Sequence, residues 1–286
     1  MAIDPERLLA TVFPETATLL DERSVLLYAL SVGLGSDPVD AGQLRFAYEK
    51  NLQVLPSMAL VIGWPGLWFT SAASGIDAGA VVNAGHHLTL VRPLEAARTV
   101  HAHTRIIGIE DKGAGRGALV HLERELKGED GALIGHVASS LLCRADGGCG
   151  SAGRIHEPAP AMPVTPPELC VELPTLAQSA LLYRLNGDLH PLHADPAAAR
   201  AAGFERPILH GLCTLAMAGH ALLRALCDYD ARRLTGLGAR FTAPVYPGER
   251  IAFDIWQQPG GAVRFRARVP SRGATVLDHG TAAVTP

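Results

Sequence analysis

The chain has 286 residues, 48% of them hydrophobic and 19% charged, enough to build a substantial core and to exclude a disordered polymer. Its formal charge of −3, with no dense Lys/Arg cluster, removes the electrostatic case for a nucleic-acid partner. The length suits one large domain or two of ordinary size.

The N-terminal stretch MAIDPERLLATVFPE carries acids early and lacks the basic-then-apolar order of a secretory signal. The most apolar run, Met58–Phe69, is broken by Pro65 and is too short to span a bilayer. The last residues, TAAVTP, carry no peroxisomal tripeptide. A soluble cytoplasmic protein without membrane contact is expected. Cys143, Cys149, Cys170, Cys213 and Cys227 are odd in number and form no CxxC pair, which points to reduced thiols.

Two halves repeat each other. Shifted by 155 positions, VLLYALSVGLGSDPVD (Val25–Asp40) falls on ALLYRLNGDLHPLHAD (Ala180–Asp195) without a gap. Each copy continues into an apolar helical segment, around Pro56–Ile62 and over Gly211–Cys227, and then into about four strand-like runs. In the first half these runs are His87–Leu94, Arg98–Ile109, Arg116–Lys127 and Ala132–Arg144. In the second they are Gly238–Val245, Arg250–Gln257, Ala262–Val269 and Ala274–Val284. RIAFDIW alternates as a half-buried strand does, and Gly-containing turns separate the runs. ERELKGED (Glu123–Asp130) reads as a solvated hairpin end.

A helix followed by a meander, twice, implies an α+β fold with an antiparallel sheet wrapped on a central helix in each repeat. The Gly/Pro-crowded segment between the copies lacks either period and reads as a linker. The expected organisation is a degenerate N-terminal half over 1–150, a linker over 151–172 and a motif-bearing half over 173–286.

The repeat is informative where it fails. Asp188 aligns with Gly33, and His193 with Pro38, so one half has a polar pair that the other lacks. One active site per chain follows, with the first half as scaffold and substrate pocket. Loss of polar residues there predicts an apolar wall with room for a long or bulky group.

Asp188 and His193 lie five residues apart; on a regular helix they would diverge by about 140°. Pro191 disfavours helix at His190, so a loop is expected, and a loop can turn both side chains toward one small molecule. A carboxylate and an imidazole sharing a water can take a proton from it and deliver one to carbon. Asn186 and Gly187 shape the preceding turn. Asp195-Pro196 with Gly203 reads as an N-cap, first helical position and stop, a structural role. His210-Gly211 opens an apolar helix whose amino end suits a carbonyl oxygen gaining charge. Arg184, Arg206 and Arg240 are possible phosphate contacts. His190, His193, Asp195 and His210 could be read as a metal cluster, but Pro191 breaks the helical i, i+4 spacing that such sites favour, and no metal is expected.

The motifs YRLNGDLHPLHADP and GFERPILHGLCT, with DERSVLLYALSVGLG, VRPLEAARTVHAHTRI, DKGAGRGALV and ARFTAPVYPGERI, resemble the hydratase 2/MaoC-like dehydratase family, the R-specific enoyl-CoA hydratases of double hotdog fold. The resemblance spans nearly the whole chain. It implies that Asp188 and His193 are the catalytic pair and that the Gly211 N–H is an oxyanion contact. The flanking Asn186, Gly187, His190 and His210 are substrate-binding candidates. It further implies an acyl-CoA thioester substrate with coenzyme A as its only cofactor-like part, syn addition of water giving a 3R-hydroxyacyl thioester, and a homodimer. The family usually has asparagine where this chain has His190, a departure expected to spare activity and to touch substrate preference or pH dependence. The alternatives are a specialised acyl-CoA or carrier-protein thioester at the same site, a hotdog thioesterase, or a non-catalytic acyl-binding protein.

Overall fold

The computed structural model describes residues 3–157 and 159–285. Among the described residues eleven strands form one continuous antiparallel sheet. They are β1 (Thr16–Leu19), β2 (Val81–Leu90), β3 (Thr99–Asp111), β4 (Ala118–Gly128), β5 (Leu133–Cys143), β6 (Ala152–Gly153), β7 (Leu169–Pro174), β8 (Leu234–Phe241), β9 (Arg250–Gln257), β10 (Ala262–Val269) and β11 (Ala274–Val284). The spatial order is β1-β3-β4-β5-β2-β8-β11-β10-β9-β7, with β6 paired to β3 off this path. Read outward from the β2–β8 seam, the two halves have the same order. The internal repeat is therefore a repeat of topology, and the architecture is the expected double hotdog.

The seam depends on a close approach. At Gly238 an added Cβ would stand 2.8 Å from the His86 carbonyl oxygen and 2.3 Å from His87 Nδ1. A side chain there would push β8 off β2.

Among the described residues only one central helix is long. Gly211–Leu226 has every residue from Leu212 to Leu223 buried, so it is apolar all round because sheet and loops surround it. Its counterpart in the first half, expected as a helix around Pro56–Ile62, is a 3-10 turn of five residues, Pro56–Leu60. Pro56 starts it, and Gly63 at φ 62 ends the segment before a full α-turn can propagate. Arg124 closes its carboxyl end, donating from Nη2 to the carbonyls of Ala59 and Leu60 at 3.3 and 2.8 Å. This corrects the reading of Glu123–Asp130 as a solvated hairpin end: the segment up to Gly128 lies in β4, and Arg124 is buried.

In the second half, three strands have the expected bounds; β8 begins four residues earlier, at Leu234. The alternation in RIAFDIW suggests a half-buried strand, yet Ile251 to Trp256 are buried on both faces. The cause is the Pro-rich connection, which lies across the outer face of this half. Trp256 Nε1 donates to Thr165 O at 2.8 Å, and Arg264 reaches Pro160 O. The connection is also less irregular than expected, since it contains β6 and the start of β7. On the first half, Ile3 and Leu8 cover the outer face of β3 and β4 against Ile106, Ile109 and Val120. All five cysteines are free thiols. Among the described residues no helix is long and apolar enough to cross a membrane.

Candidate active site

The motif loop starts from the helix Ser179–Tyr183, which tightens into a 3-10 turn over Arg184–Asn186 and stops at Gly187, where φ is 116°. That left-handed conformation favours glycine and turns the chain to expose Asp188. Asn186 holds the turn in place, donating from Nδ2 to Tyr183 O at 2.9 Å and to Ser31 Oγ of the first half at 3.0 Å. One Asp188 oxygen accepts from His190 N at 3.1 Å. His190 has extended backbone angles before Pro191, as the sequence requires, and its exposed ring accepts from Leu192 N at 3.2 Å. Its role here is that of an N-cap.

His193 ends the 3-10 turn Pro191–His193. Its Nδ1 lies 2.8 Å from the Ile208 carbonyl, which can only accept, so Nδ1 carries the proton and Nε2 keeps a free lone pair. Burial lowers the imidazole below the usual histidine value, against the opposing pull of Ile208 O and Asp188. His193 is thus a neutral base at neutral pH.

His210, 1% exposed, is the N-cap of the long helix and stacks on His193 with ring centroids 3.6 Å apart at 23°. Its Nε2 donates to Asp188 O at 3.1 Å, tying the motif loop to the helix entrance. Burial, reinforced by His193, pushes it down to about 3. Donor atoms of Asp188, His193 and His210 lie within 4.8 Å of one another. Near-parallel imidazoles this close aim their in-plane lone pairs side by side rather than at one point. The cluster therefore suits proton transfer better than a tetrahedral ion.

A cavity of about 270 Å³ opens beside the cluster. The second half supplies Tyr183, Asn186, Gly187, Asp188 and Leu212; the first half supplies Thr16, Thr18, Val61, Gly63, Trp64, Asn83 and His86. Of the sequence candidates, Asn186, Gly187 and Asp188 line it directly. His190, His193, His210 and Gly211 stand behind or beside the wall, with Leu212 carrying the helix entrance into it. Gly211 is where the helix begins, and the first N–H groups of a helix have no intrahelical acceptor. Asp195 caps the helix Pro196–Ala201 through Ala197 N at 2.7 Å, and Gly203 stops it at φ 87°.

The expected apolar wall is corrected by the structure: Thr16, Thr18, Asn83 and His86 bring polar groups to it. No local pattern singles out these residues, which are scattered over seventy positions and are brought together only by the sheet. Of the arginine candidates, Arg206 lies over the Tyr246 ring at 5.1 Å and Arg240 is exposed on β8. A cleft of about 320 Å³ by Arg92, Arg98 and Asp130 contains none of the Asp/His cluster.

The chain is similar to known proteins over nearly its whole length. The MFE-2 hydratase 2 N-terminal domain matches residues 19–145, and the MaoC like domain matches residues 158–275. The chain is 39% identical over 290 residues to the 3-hydroxyacyl-thioester dehydratase Y of Mycobacterium tuberculosis, covering 98% of each. It is 33% identical to the peroxisomal enoyl-CoA hydratase 2 of Arabidopsis thaliana, covering 94% of this chain and 92% of that protein. The crystal structure of a MaoC-like dehydratase from Phytophthora capsici superposes with a TM-score of 0.86 at 28% identity, covering 98% of both chains. With both domain matches in tandem, full-length relatives and the same double hotdog frame, the chain belongs to the hydratase 2/MaoC-like dehydratase family and is an enzyme of that type.

Proposed function

We propose that the protein catalyses reversible, R-specific syn hydration of trans-2-enoyl-CoA to (3R)-3-hydroxyacyl-CoA. The observation that carries this is the free Nε2 lone pair of a neutral, half-buried His193 beside Asp188, at the edge of a cavity the helix amino end enters. The water sits between the Asp188 carboxylate and His193 Nε2. His193 takes one of its protons as the oxygen adds to C3, and returns that proton to C2 from the same face. One water thus supplies both new bonds, which makes the addition syn. Asp188 orients the water and stabilises the transient imidazolium. The thioester oxygen, which gains negative charge as C3 is attacked, is held by the Gly211 N–H at the positive helix end.

The test is hydration of trans-2-enoyl-CoA from C4 to C16, followed by loss of conjugated-thioester absorbance with chiral analysis of the product. A 3R product supports the reading. A 3S product, or free CoA released from saturated acyl-CoA without hydration, overturns it. Asp188→Asn and His193→Gln are each expected to lower kcat by about 10²–10⁴-fold with the fold retained. Wild-type rates in either variant would remove that residue from the mechanism.

A further inference from the structure

A second histidine pair lies on the first half, apart from the motif loop. His121 on β4 is the cross-strand neighbour of Ser140 on β5. The short strand β6 pairs with β3 at Gly108, which brings the following His156 alongside both residues. Three donor atoms close a small triangle here. His121 Nδ1 lies 2.9 Å from Ser140 Oγ and 3.2 Å from His156 Nδ1, and Ser140 Oγ lies 3.3 Å from His156 Nδ1.

The ring geometry shows what this triangle suits. A straight N–H···N bond of that length would set the ring centroids about 5.5 Å apart, since each nitrogen stands about 1.1 Å from its ring centre. The centroids are 4.7 Å apart with the rings inclined at 71°, so the two nitrogens are not aimed straight at one another. Two imidazoles sharing a tetrahedral ion, with metal–nitrogen bonds of about 2.0–2.1 Å, hold their nitrogens about 3.3 Å and their centroids about 5 Å apart. The observed pair is nearer to that arrangement, and the three donor separations match one face of the tetrahedron. The motif histidines differ in this respect, because His193 and His210 stack almost parallel.

The surroundings favour coordination. Burial lowers both imidazoles, His156 to about 4, so a cation does not compete with a proton for them at neutral pH. His121 Nε2 faces Glu110 Oε2 at 3.6 Å, which favours the proton on Nε2 and leaves Nδ1 a lone pair. A carboxylate behind the ring is a common outer partner of a metal-ligating histidine. Lys112 and Arg154 are already paired with Glu110 and Glu123, so neither opposes an ion as an uncompensated charge.

We propose that His121 Nδ1, His156 Nδ1 and Ser140 Oγ bind a divalent transition ion of the zinc class, with water completing its shell. The imidazoles supply most of the affinity, and the hydroxyl adds a weaker third contact. His156 stands near the start of the connection, which is held on the second half by Trp256 and Arg264. The ion fastens that start to β4 and β5 of the first half, a structural role separate from the hydration reaction.

The experiment titrates Zn²⁺ into tag-free, chelator-treated protein at pH 7.5 by calorimetry, with Co²⁺ as a spectroscopic stand-in. One equivalent is expected to bind, and Co²⁺ should show the visible bands of a tetrahedral site. His156→Gln, confirmed folded by its melting transition, should weaken binding more than about hundredfold, since loss of an outer partner alone costs about 10–100-fold. Glu110→Gln should weaken it about tenfold. His193→Gln should leave Zn²⁺ binding unchanged, and His156→Gln should leave enoyl-CoA hydration unchanged. Zn²⁺ should slow proteolysis of the connection in the wild type and not in His156→Gln. Absence of binding overturns the proposal and assigns the triangle to protons shared by the histidines and Ser140. Binding lost in His193→Gln but kept in His156→Gln overturns it as well, by placing the ion among Asp188, His193 and His210. Binding kept in both variants does the same, by assigning the ion to other surface donors.

Discussion

Asn186 Nδ2 donates to Ser31 Oγ at 3.0 Å, and these two residues occupy the same position of the internal repeat, 155 residues apart. Tyr28 and Tyr183, also equivalent, pack beside them with ring centroids 6.0 Å apart. The two copies therefore meet at their own equivalent residues. The motif loop of one half is braced by the corresponding helix of the half that lacks the acid and histidine.

Removing this brace has a defined consequence. Asn186→Ala is expected to destabilise the protein by about 1 kcal/mol, the net worth of a part-buried hydrogen bond, and to lower kcat more than it raises KM. The reason is that Asp188 follows the turn Asn186 holds. Urea unfolding and steady-state kinetics check the two effects. An unchanged kcat would show that Gly187 alone positions the loop.

The helix entrance is tightly packed. A Cβ added at Gly211 would lie 3.0 and 3.1 Å from ring carbons of Phe241. Gly211→Ala should displace the ring or the first helical turn and, with the Gly211 N–H in the oxyanion role proposed above, lower kcat about tenfold or more. Phe241→Leu in the same chain should restore part of that loss by making room. A double variant no better than Gly211→Ala would place the defect in the backbone rather than in the contact.

Acid should destabilise the fold through its buried histidines. His86 and His220 are held neutral, pushed down to about 3 and about 4 by burial. Below the unfolded value of about 6.5, the unfolded chain takes up protons that the folded chain refuses. Their contribution is complete above about pH 6.5 and is lost as pH falls toward the folded values. At pH 5 each is expected to cost about 2 kcal/mol relative to pH 7.5. Urea midpoints at the two pH values measure the total, and His220→Phe should flatten the dependence. An equally steep loss in that variant would assign it to other groups.

His190→Asn is expected to change activity less than about threefold, because an asparagine carbonyl can accept from Leu192 N as the imidazole does at 3.2 Å. A much larger gain, tracked across pH, would show that the His190 ring acts on the substrate rather than on the turn.

The candidate site was largely legible because its central residues occupy one continuous stretch with strong local rules. Pro191 forces an extended His190, Gly187 supplies the left-handed turn, Asp195 and Pro196 start a helix, and His210-Gly211 starts the next. Each of these depends on neighbours within a few residues. The repeat and the strand runs of the second half were legible for the same reason, since alternation and turn glycines are local.

The sequence by itself thus determined the double hotdog frame, the asymmetry between its halves, and the placing of Asp188 and His193 on one loop. Tertiary structure alone decided the rest. The first central helix shortens to a 3-10 turn closed by Arg124, which comes from a strand more than sixty residues away. The outer face of the second half is dry because the connection folds back over Trp256 and Arg264. His86 and Thr16 share a cavity with Asp188 only because the sheet curls to bring them there. Burial, and with it the neutrality of His193 and His86, depends on which distant segments cover a residue, and that information is absent from the residue's own neighbourhood in the chain.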